Sequence, residues 1–223
     1  ALLGLLISAL ACHYLFYLVP GLFGMRTGLP LYIVGTSTFG AQGGFIMPGF
    51  LMGVLQFGWL GVNAFFSSML LYNTFAGASL TAESSYPVAG HAVLVVVWAA
   101  LAAFMGLKGI HYVARVATYL PLLPLAILLI LFVRTVGGVG QFDPQSLVAA
   151  GKVTQPLSSW AVIALMLTYV VGFFATAGAA GVDFGLNNRD KKDVQWGGLI
   201  GIGLAILVTA GLSLMIVAGA YGQ

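Results

Sequence analysis

Six long apolar segments constrain the fold of this chain more than any other feature of its sequence. A helix needs about 20 mostly apolar residues to cross the hydrocarbon core of a bilayer. Only 6% of the residues are charged, whereas soluble domains carry about 25%, so the chain has too little charge to cover a surface in water. We therefore predict an all-α integral membrane protein with six transmembrane helices. The predicted spans are Ala1–Gly21, Phe45–Tyr72, His91–Leu107, Val113–Val133, Trp160–Val182 and Trp196–Tyr221.

The loops between these segments differ in positive charge. Alternate loops hold six of the cations and the others hold two. Because cytoplasmic loops are enriched in Lys and Arg, we predict that loops 22–44, 108–112 and 183–195 are cytoplasmic. The first visible span then enters from the outside, which is unusual for a natural start without a signal peptide. We therefore expect a single transmembrane domain over residues 1–223 that is a fragment, with helices missing upstream and downstream.

Residue patterns that support catalysis or metal binding do not occur in the sequence. There is one cysteine, with no CxxC pair, no His/Cys cluster and no phosphate-binding glycine loop. Intramembrane proteolysis or metal hydrolysis needs paired Asp, Ser/His or clustered His side chains inside the spans. We therefore expect a protein that is not an enzyme and has no metal or cofactor. The net charge of +3 lies in short loops, which predicts membrane orientation rather than nucleic-acid binding.

The second span carries a polar stripe. Gln56, Trp59 and Asn63 follow one another at i, i+3 and i+7, which places them on one side of a helix. An indole offers a flat stacking surface, and amides offer donors and acceptors to the edge of a planar heterocycle. The pattern is typical of a site for an uncharged aromatic base. The alternative is that both amides bond to neighbouring helices while Trp59 packs between them.

The fifth span contains a run of small residues, 175–181. Such a run favours a close helix–helix packing surface, and the alternative is an unwound break at the membrane midplane. Phe173 and Phe174 come directly before it. A ring at a break is a candidate to hold a substrate against Trp59, with Thr176 adding a hydroxyl. The alternative is that both rings face lipid or the core.

Two of the titratable residues in or beside the spans are candidates for a functional role. His13 is in the middle of the first span, where it is either a proton relay or a hydrogen-bonded structural histidine. Asp183 lies where the fifth span meets the cytoplasm. It is either a plain interface charge, or a group that pairs with a cation in a loop or takes part in gating.

Several motifs together resemble the nucleobase–cation symporter family, which includes cytosine permeases, purine permeases and hydantoin or allantoin transporters. The segment Gln56-Phe57-Gly58-Trp59 is most similar to the cytosine permease branch. The resemblance covers nearly the whole chain, from the second helix of the family to the seventh. The motifs that carry it are Arg26-Thr27-Gly28-Leu29-Pro30, Ser37-Thr38-Phe39-Gly40, Gly58-Trp59-Leu60-Gly61, and Gly172-Phe173-Phe174-Ala175-Thr176-Ala177-Gly178 ending at Asp183-Phe184.

The resemblance implies part of a LeuT-like fold of two inverted five-helix repeats, with the substrate site at the midplane. It implies that Trp59 stacks on the base from the third helix and Phe174 from the sixth. Gln56 and Asn63 would face the site, and Thr176 would lie at a break in the sixth helix. The residues so predicted to bind substrate are Gln56, Trp59, Asn63, Phe173, Phe174, Thr176 and Gly178.

The resemblance also implies a transport mode. A nucleobase, cytosine or a related heterocycle, would enter by symport with Na⁺ or H⁺ as the two repeats rock to alternate access. No ion ligand is assigned, because the helices that would hold much of the cation site are not in the chain. We expect a monomer in the lipid bilayer of the plasma membrane, which is a bacterial inner membrane by the same resemblance.

Two positions depart from the family pattern. Thr36 and Leu186 stand where many members have Arg, and this leaves the substrate open. Besides a hydantoin or allantoin permease, the alternatives are an amino-acid or amine permease of the same architecture and a purely structural subunit. A permease for amino acids would need charge or exposed backbone at its site, whereas the stripe on the second span favours an uncharged planar substrate.

Overall fold

A computed structural model of the chain describes residues 1–149, 155, 157–174 and 176–223. The regular elements within these residues are helical, and they cluster into two units. The larger unit comprises Ala1–Gly49 and Leu122–Gln223, and the smaller unit comprises Phe50–Pro121. In chain order the helices are α1 (Leu2–Thr27), α2 (Leu31–Val34), α3 (Thr36–Gly44), α4 (Met52–Ala76), α5 (Ala89–Leu107), α6 (Ile110–Tyr119), α7 (Leu122–Thr135), α8 (Pro144–Ala149), α9 (Ser159–Phe173), α10 (Ala177–Gly185) and α11 (Lys191–Tyr221).

Shorter irregular segments interrupt or join these helices. α1 contains a π-helical segment, Cys12–Leu18, and α11 contains another, Leu199–Leu204. A third π-helical segment, Phe45–Leu51, lies between α3 and α4, and a 3₁₀ segment, Val136–Gln141, follows α7. Wide π turns occur mostly as short interruptions of α-helices, frequently at functional sites.

The number of membrane spans agrees with the sequence prediction. In the described part of the chain, five helical stretches are long and apolar enough to cross a membrane, and α9 with α10 forms a sixth if that bent pair is counted as one span. The fold is therefore all-helical and membrane-embedded, as predicted, while the inverted repeat and the single domain stay predictions. The five stretches are Leu2–Thr27, Thr36–Ala76, Ala89–Leu107, His111–Gln141 and Lys191–Tyr221.

The predicted cytoplasmic loop at 22–44 is wrong in its extent. α1 continues to Thr27 and ends where Gly28 adopts a φ of 63°, a left-handed conformation that glycine accepts at little cost. The helices α2 and α3 fill much of the remaining loop. The predicted loop 183–195 is likewise shorter, because α10 continues to Gly185 and α11 begins at Lys191.

In the larger unit, α1 packs along its length against the two halves of the bent span. Its N-terminal part contacts α9 and its C-terminal part contacts α10, while α11 packs against α1 and α7. Leu5, Ala9 and Cys12 of α1 and Val194 of α11 are fully buried. Most other large apolar side chains are exposed, as expected for helices whose outer faces meet lipid or further helices.

Glycines let the backbones of α1 and α10 approach closely. A Cβ on Gly24 would overlap the carbonyl of Val182, and one on Gly185 would overlap the carbonyl of Gly21. A Cβ on Gly181 would lie 3.0 Å from Cγ of Pro20. Small residues at helix interfaces are the usual means of helix association in lipid. The packing interpretation of the small-residue run is therefore right for its C-terminal part.

In the smaller unit, α4 and α5 pack against each other. Nε2 of His91 lies 3.1 Å from the carbonyl oxygen of Phe65, and the ring of Tyr86 contacts both residues at centroid distances of 5.1 and 5.3 Å. In the last turn of α4, the side chain of Asn73 donates to and accepts from the backbone of Leu80, which follows the helix, at 2.9 Å. These bonds hold the connection between the two helices.

Candidate functional site

The span formed by α9 and α10 is broken in the larger unit. α9 ends at Phe173, α10 begins at Ala177, and the two helix axes meet at 50°. The amide of Phe174 closes the last turn of α9 on Val170, and the carbonyl of Thr176 accepts from Ala179 and Ala180 in the first turn of α10. The small-residue run therefore combines a break with a packing surface, so both interpretations of the sequence hold for different parts of it.

Two adjacent aromatic rings lie on the N-terminal side of this break. The rings of Phe173 and Phe174 meet edge to face, with centroids 5.7 Å apart and planes at 64°. Phe173 is 59% exposed and Phe174 is half-buried. A span whose chain is interrupted beside flat aromatic faces has two of the features that hold a planar ligand, since rings supply stacking area and backbone amides near a break supply polar contacts.

An open cleft of about 550 Å³ adjoins the break, between the bent span and α11. Phe173 and Phe174 form one wall, together with Tyr169 from the preceding turn of α9. Ile206 and Thr209 of α11 form part of the other wall. The lining is apolar apart from the side chains of Tyr169 and Thr209, and it contains no charged residue.

Sequence reasoning missed Tyr169 and Thr209. Tyr169 lies four residues before Phe173, which is the spacing of neighbours on one helix face, so the spacing alone could have indicated it. Thr209 lies in an apolar run, and its hydroxyl donates to the carbonyl of Ala205 at 2.7 Å. Its proximity to the break depends on the packing of α11, which no local pattern reveals.

The polar stripe on α4 lies in the smaller unit. Gln56 and Asn63 are exposed and Trp59 is half-buried. The buried residues of α4, Ala64 and Ser68, lie on a different side of the helix. The stripe is therefore not part of the packed face within this unit, and its three side chains are presented together.

The amide of Asn63 has a partner within its own helix. Its Nδ2 donates to the carbonyl of Trp59 at 2.8 Å. The second N–H and the Oδ1 of this amide can still bond to a substrate or to a neighbouring helix, so both interpretations of the stripe stay predictions. The bond also fixes the orientation of the Asn63 side chain along the stripe, beside the indole of Trp59.

The seven predicted substrate-binding residues thus form two groups. Gln56, Trp59 and Asn63 share one side of α4, and the structure brings them together in the smaller unit. The other four lie at the break in the larger unit. Among them, Gly178 of α10 faces α1, because a Cβ added to it would lie 3.6 Å from the ring of Phe16. The stacking of one base by both Trp59 and Phe174 stays a prediction. The group at the break consists of Phe173, Phe174, Thr176 and Gly178.

Asp183 has a structural partner that the sequence did not indicate. Its Oδ1 accepts a hydrogen bond of 2.9 Å from the amide of Leu31, the first residue of α2. The first amides of a helix have no acceptor within the helix, so the carboxylate serves as a cap supplied by α10. This bond ties the end of the bent span to the connection that follows α1.

Substituting Asp183 with alanine is expected to lower stability by about 0.5–2 kcal/mol, the range measured for helix N-terminal caps. Asp183→Asn keeps an acceptor oxygen in the same position and is expected to cost less. Thermal unfolding of the purified protein checks the difference between the two variants. Equal losses of stability in both variants would show that the charge of Asp183, rather than its hydrogen bond to Leu31, stabilises the protein.

The charged segment before α11 is exposed. Nε of Arg189 donates to Oδ2 of Asp193 at 3.0 Å, and the Arg189 side chain is 88% exposed. This hydrogen bond and the charge of Asp193 raise the pKa of Arg189 above its ordinary value. Asp190 caps α11 by accepting from the amide of Asp193 at 2.9 Å. Exposed pairs of this kind contribute little to stability, so the segment is a solvated turn and cap.

Comparison with known protein families places the chain in one of them. A family model described as a permease for cytosine/purines, uracil, thiamine and allantoin matches residues 5–222. No curated protein and no solved structure matches the chain significantly. The match extends over both groups of predicted site residues and over the helices that position them.

Proposed function

Since the chain belongs to the family of permeases for cytosine/purines, uracil, thiamine and allantoin, we propose that it belongs to a secondary active transporter that imports a nucleobase. Cytosine or a related heterocycle is the proposed substrate, and Na⁺ or H⁺ is the proposed coupling ion. Permeases of this family are transporters rather than enzymes, and they take small molecules across the membrane in which their helices are embedded.

The observation that best supports this proposal is the break between α9 and α10. A transporter must bind its substrate within the bilayer, where an uninterrupted helix has no backbone groups to offer. Interrupted helices with aromatic neighbours meet that need, because they expose amides and carbonyls next to a stacking surface. Phe173, Phe174 and Thr176 lie at the break in the described structure.

The proposed roles of the site residues follow their chemistry. Trp59 and Phe174 supply stacking faces, and Gln56 and Asn63 supply an amide edge that can pair with the ring nitrogens and carbonyl of a base. Thr176 adds a hydroxyl at the break, while Phe173 and Gly178 shape the space around it. α10 is held against α1 through glycine contacts, so movement of one helix is transmitted directly to the other during alternating access.

The cleft beside the break favours an uncharged substrate. It holds aromatic and aliphatic side chains with two hydroxyl groups and no charged residue. An amino acid or amine would leave its charge unpaired in such surroundings, which is costly. Allantoin and hydantoins are uncharged and share a nearly planar five-membered ring, and they are the second candidate substrates.

Uptake of labelled cytosine tests the proposal. Cells that lack their own cytosine transporter and express the complete gene are expected to show saturable uptake. Unlabelled nucleobases are expected to compete, whereas amino acids are not. Competition by allantoin or hydantoin alone would identify the substrate as one of these compounds rather than a nucleobase. Competition by amino acids alone would overturn the nucleobase assignment. Repeating the assay with and without Na⁺, and at several values of external pH, identifies the coupling ion.

A further inference from the structure

A buried histidine lies in the first span, outside the predicted substrate site. His13 is 3% exposed and belongs to the π-helical segment Cys12–Leu18 of α1. The ring of Tyr14 lies 4.6 Å from it, centroid to centroid. The backbone of Gly198 on α11 faces the imidazole, since a Cβ added there would lie 2.7 Å from Nδ1 of His13.

Nδ1 of His13 is a polar atom without a proper partner. Within the described residues it makes no hydrogen bond of ordinary distance and angle, although it lies beside the backbone of Gly198. Buried polar atoms in native proteins are nearly always satisfied, and an exception calls for a reason. The sequence left open a structural histidine with hydrogen bonds or a proton relay, and the structure places Nδ1 beside the backbone of Gly198 without a hydrogen bond of ordinary geometry.

His91 shows what a structural histidine looks like in the same chain. It is equally buried, at 3% exposure, but its Nε2 lies 3.1 Å from the carbonyl oxygen of Phe65. It also packs against two aromatic rings in an ordinary α-helix. His13 differs in both respects, because its Nδ1 lacks such a bond and it lies in a π-helical segment.

Two π-helical segments meet at His13. The segment Cys12–Leu18 packs against Leu199–Leu204 of α11, which begins directly after Gly198. A π segment shifts the backbone hydrogen bonds by one residue, and such segments are frequent at functional sites. The absence of a side chain on Gly198 leaves the backbone open to the imidazole, so a protonated ring has a neighbouring peptide group available.

We propose that His13 is the proton-binding site of the transporter, so that the coupling ion is H⁺. This inference rests on the proposed transport function. A proton from the side of higher acidity adds to the free nitrogen of the imidazole and forms imidazolium. The same proton leaves on the other side of the membrane after the substrate has moved, which regenerates neutral imidazole. No other group changes its charge in this cycle.

The surroundings of His13 contain other groups that titrate. No described carboxylate forms an ion pair with His13, so its protonation changes the net charge of the site by one unit. Ionisable residues inside membrane spans are rare and mark substrate, ion or proton pathways. The titratable groups on its own helix and on the helices packed against it are Cys12, Tyr14, Tyr17 and Arg26 of α1, Tyr169 of α9, Asp183 of α10, and Lys191, Lys192, Asp193 and Tyr221 of α11.

The π-helical segment also contacts the proposed substrate site. Phe16, three residues after His13, lies against Gly178 and Gly181 of α10, at 3.6 Å and 3.4 Å from the Cβ positions of these glycines. Gly178 follows the break at Thr176 by two residues. A change of charge at His13 therefore acts on the helix that directly packs against the second half of the bent span.

The pH dependence of uptake tests this proposal. For the full-length protein, uptake of labelled cytosine is expected to rise as external pH falls from about 7.5 to about 5.5, by up to about tenfold per pH unit for one proton. His13→Gln keeps a polar side chain of similar size but cannot titrate. It is expected to lose this pH dependence and the proton-driven accumulation, while exchange of labelled for unlabelled cytosine continues.

His91→Gln is the matched control, because it removes a second buried histidine and is expected to leave the pH dependence unchanged. Wild-type protein gives a readout that does not depend on any variant, since addition of cytosine is expected to make a weakly buffered medium more alkaline. Cytosine uptake that depends on Na⁺, ignores pH and moves no protons would overturn the role of His13 and leave the transport function intact. Absence of uptake for all nucleobases would instead count against the transport proposal itself.

Discussion

Replacing Trp59 or Phe174 with alanine is expected to weaken cytosine binding by about 1–3 kcal/mol each, the range found for loss of one aromatic ring stacked on a base. This corresponds to roughly a 5- to 150-fold rise in Kd. The physical reason is that a planar heterocycle in the bilayer interior gains most of its binding free energy from contact with flat apolar faces. Equilibrium binding of labelled cytosine to the purified full-length variants measures the effect.

Two exposed rings serve as controls for these substitutions. Phe57 lies on α4 away from the polar stripe and is 73% exposed, and Phe184 lies on α10 and is 62% exposed. Alanine at either position is expected to leave the Kd for cytosine nearly unchanged. If Trp59→Ala and Phe174→Ala bind cytosine as well as these controls do, while remaining folded, neither ring belongs to the substrate site.

Replacing Gly24 with alanine is expected to cause one of the largest losses of stability available from a single methyl group in this chain. The added Cβ would overlap the carbonyl of Val182, so α1 and α10 would have to separate. Overpacking of a tight contact costs about 1–3 kcal/mol and sometimes more, and the atoms met here are backbone atoms of Val182, which cannot rotate away. The measurement is thermal stability of the purified protein in detergent, followed by size-exclusion chromatography.

Gly197 offers the matched control for this substitution. It lies in the first turns of α11, and no described atom comes within 4 Å of its Cβ position. Alanine there removes the helix-destabilising effect of glycine, worth about 1 kcal/mol, and is expected to be neutral or stabilising. The same stability for Gly24→Ala and the parent protein would contradict the close packing of α1 on α10.

The spans could be predicted from the sequence because lipid imposes a length and an apolar composition on any helix that crosses it. The residues at which the helices end could not be predicted in this way. α1 continues through Arg26 to Thr27, since a charged residue in the last turn does not stop a helix, whereas the left-handed conformation of Gly28 does. The π-helical segment Cys12–Leu18 has no signature in the sequence, because it contains no Gly or Pro that would mark an irregular turn.

The candidate site could be predicted only in part, for a related reason. The stripe on α4 follows from a spacing of three and four residues within one helix, and the structure keeps its members on one side. Thr209 and Phe174 line the same cleft because α9 and α11 both pack against α1. The bond from Leu31 to Asp183 joins residues 152 positions apart. Contacts of this kind depend on the packing of distant segments, which local patterns do not encode.

Exchange of cytosine across a membrane that contains only this protein tests the central claim most directly. Proteoliposomes made with the purified full-length protein and loaded with unlabelled cytosine are expected to take up labelled cytosine transiently above its external concentration. Excess external adenine or uracil measures the breadth of the substrate class in the same assay. Exchange for cytosine or another nucleobase is the predicted result. Vesicles that exchange amino acids but no nucleobase would contradict the account.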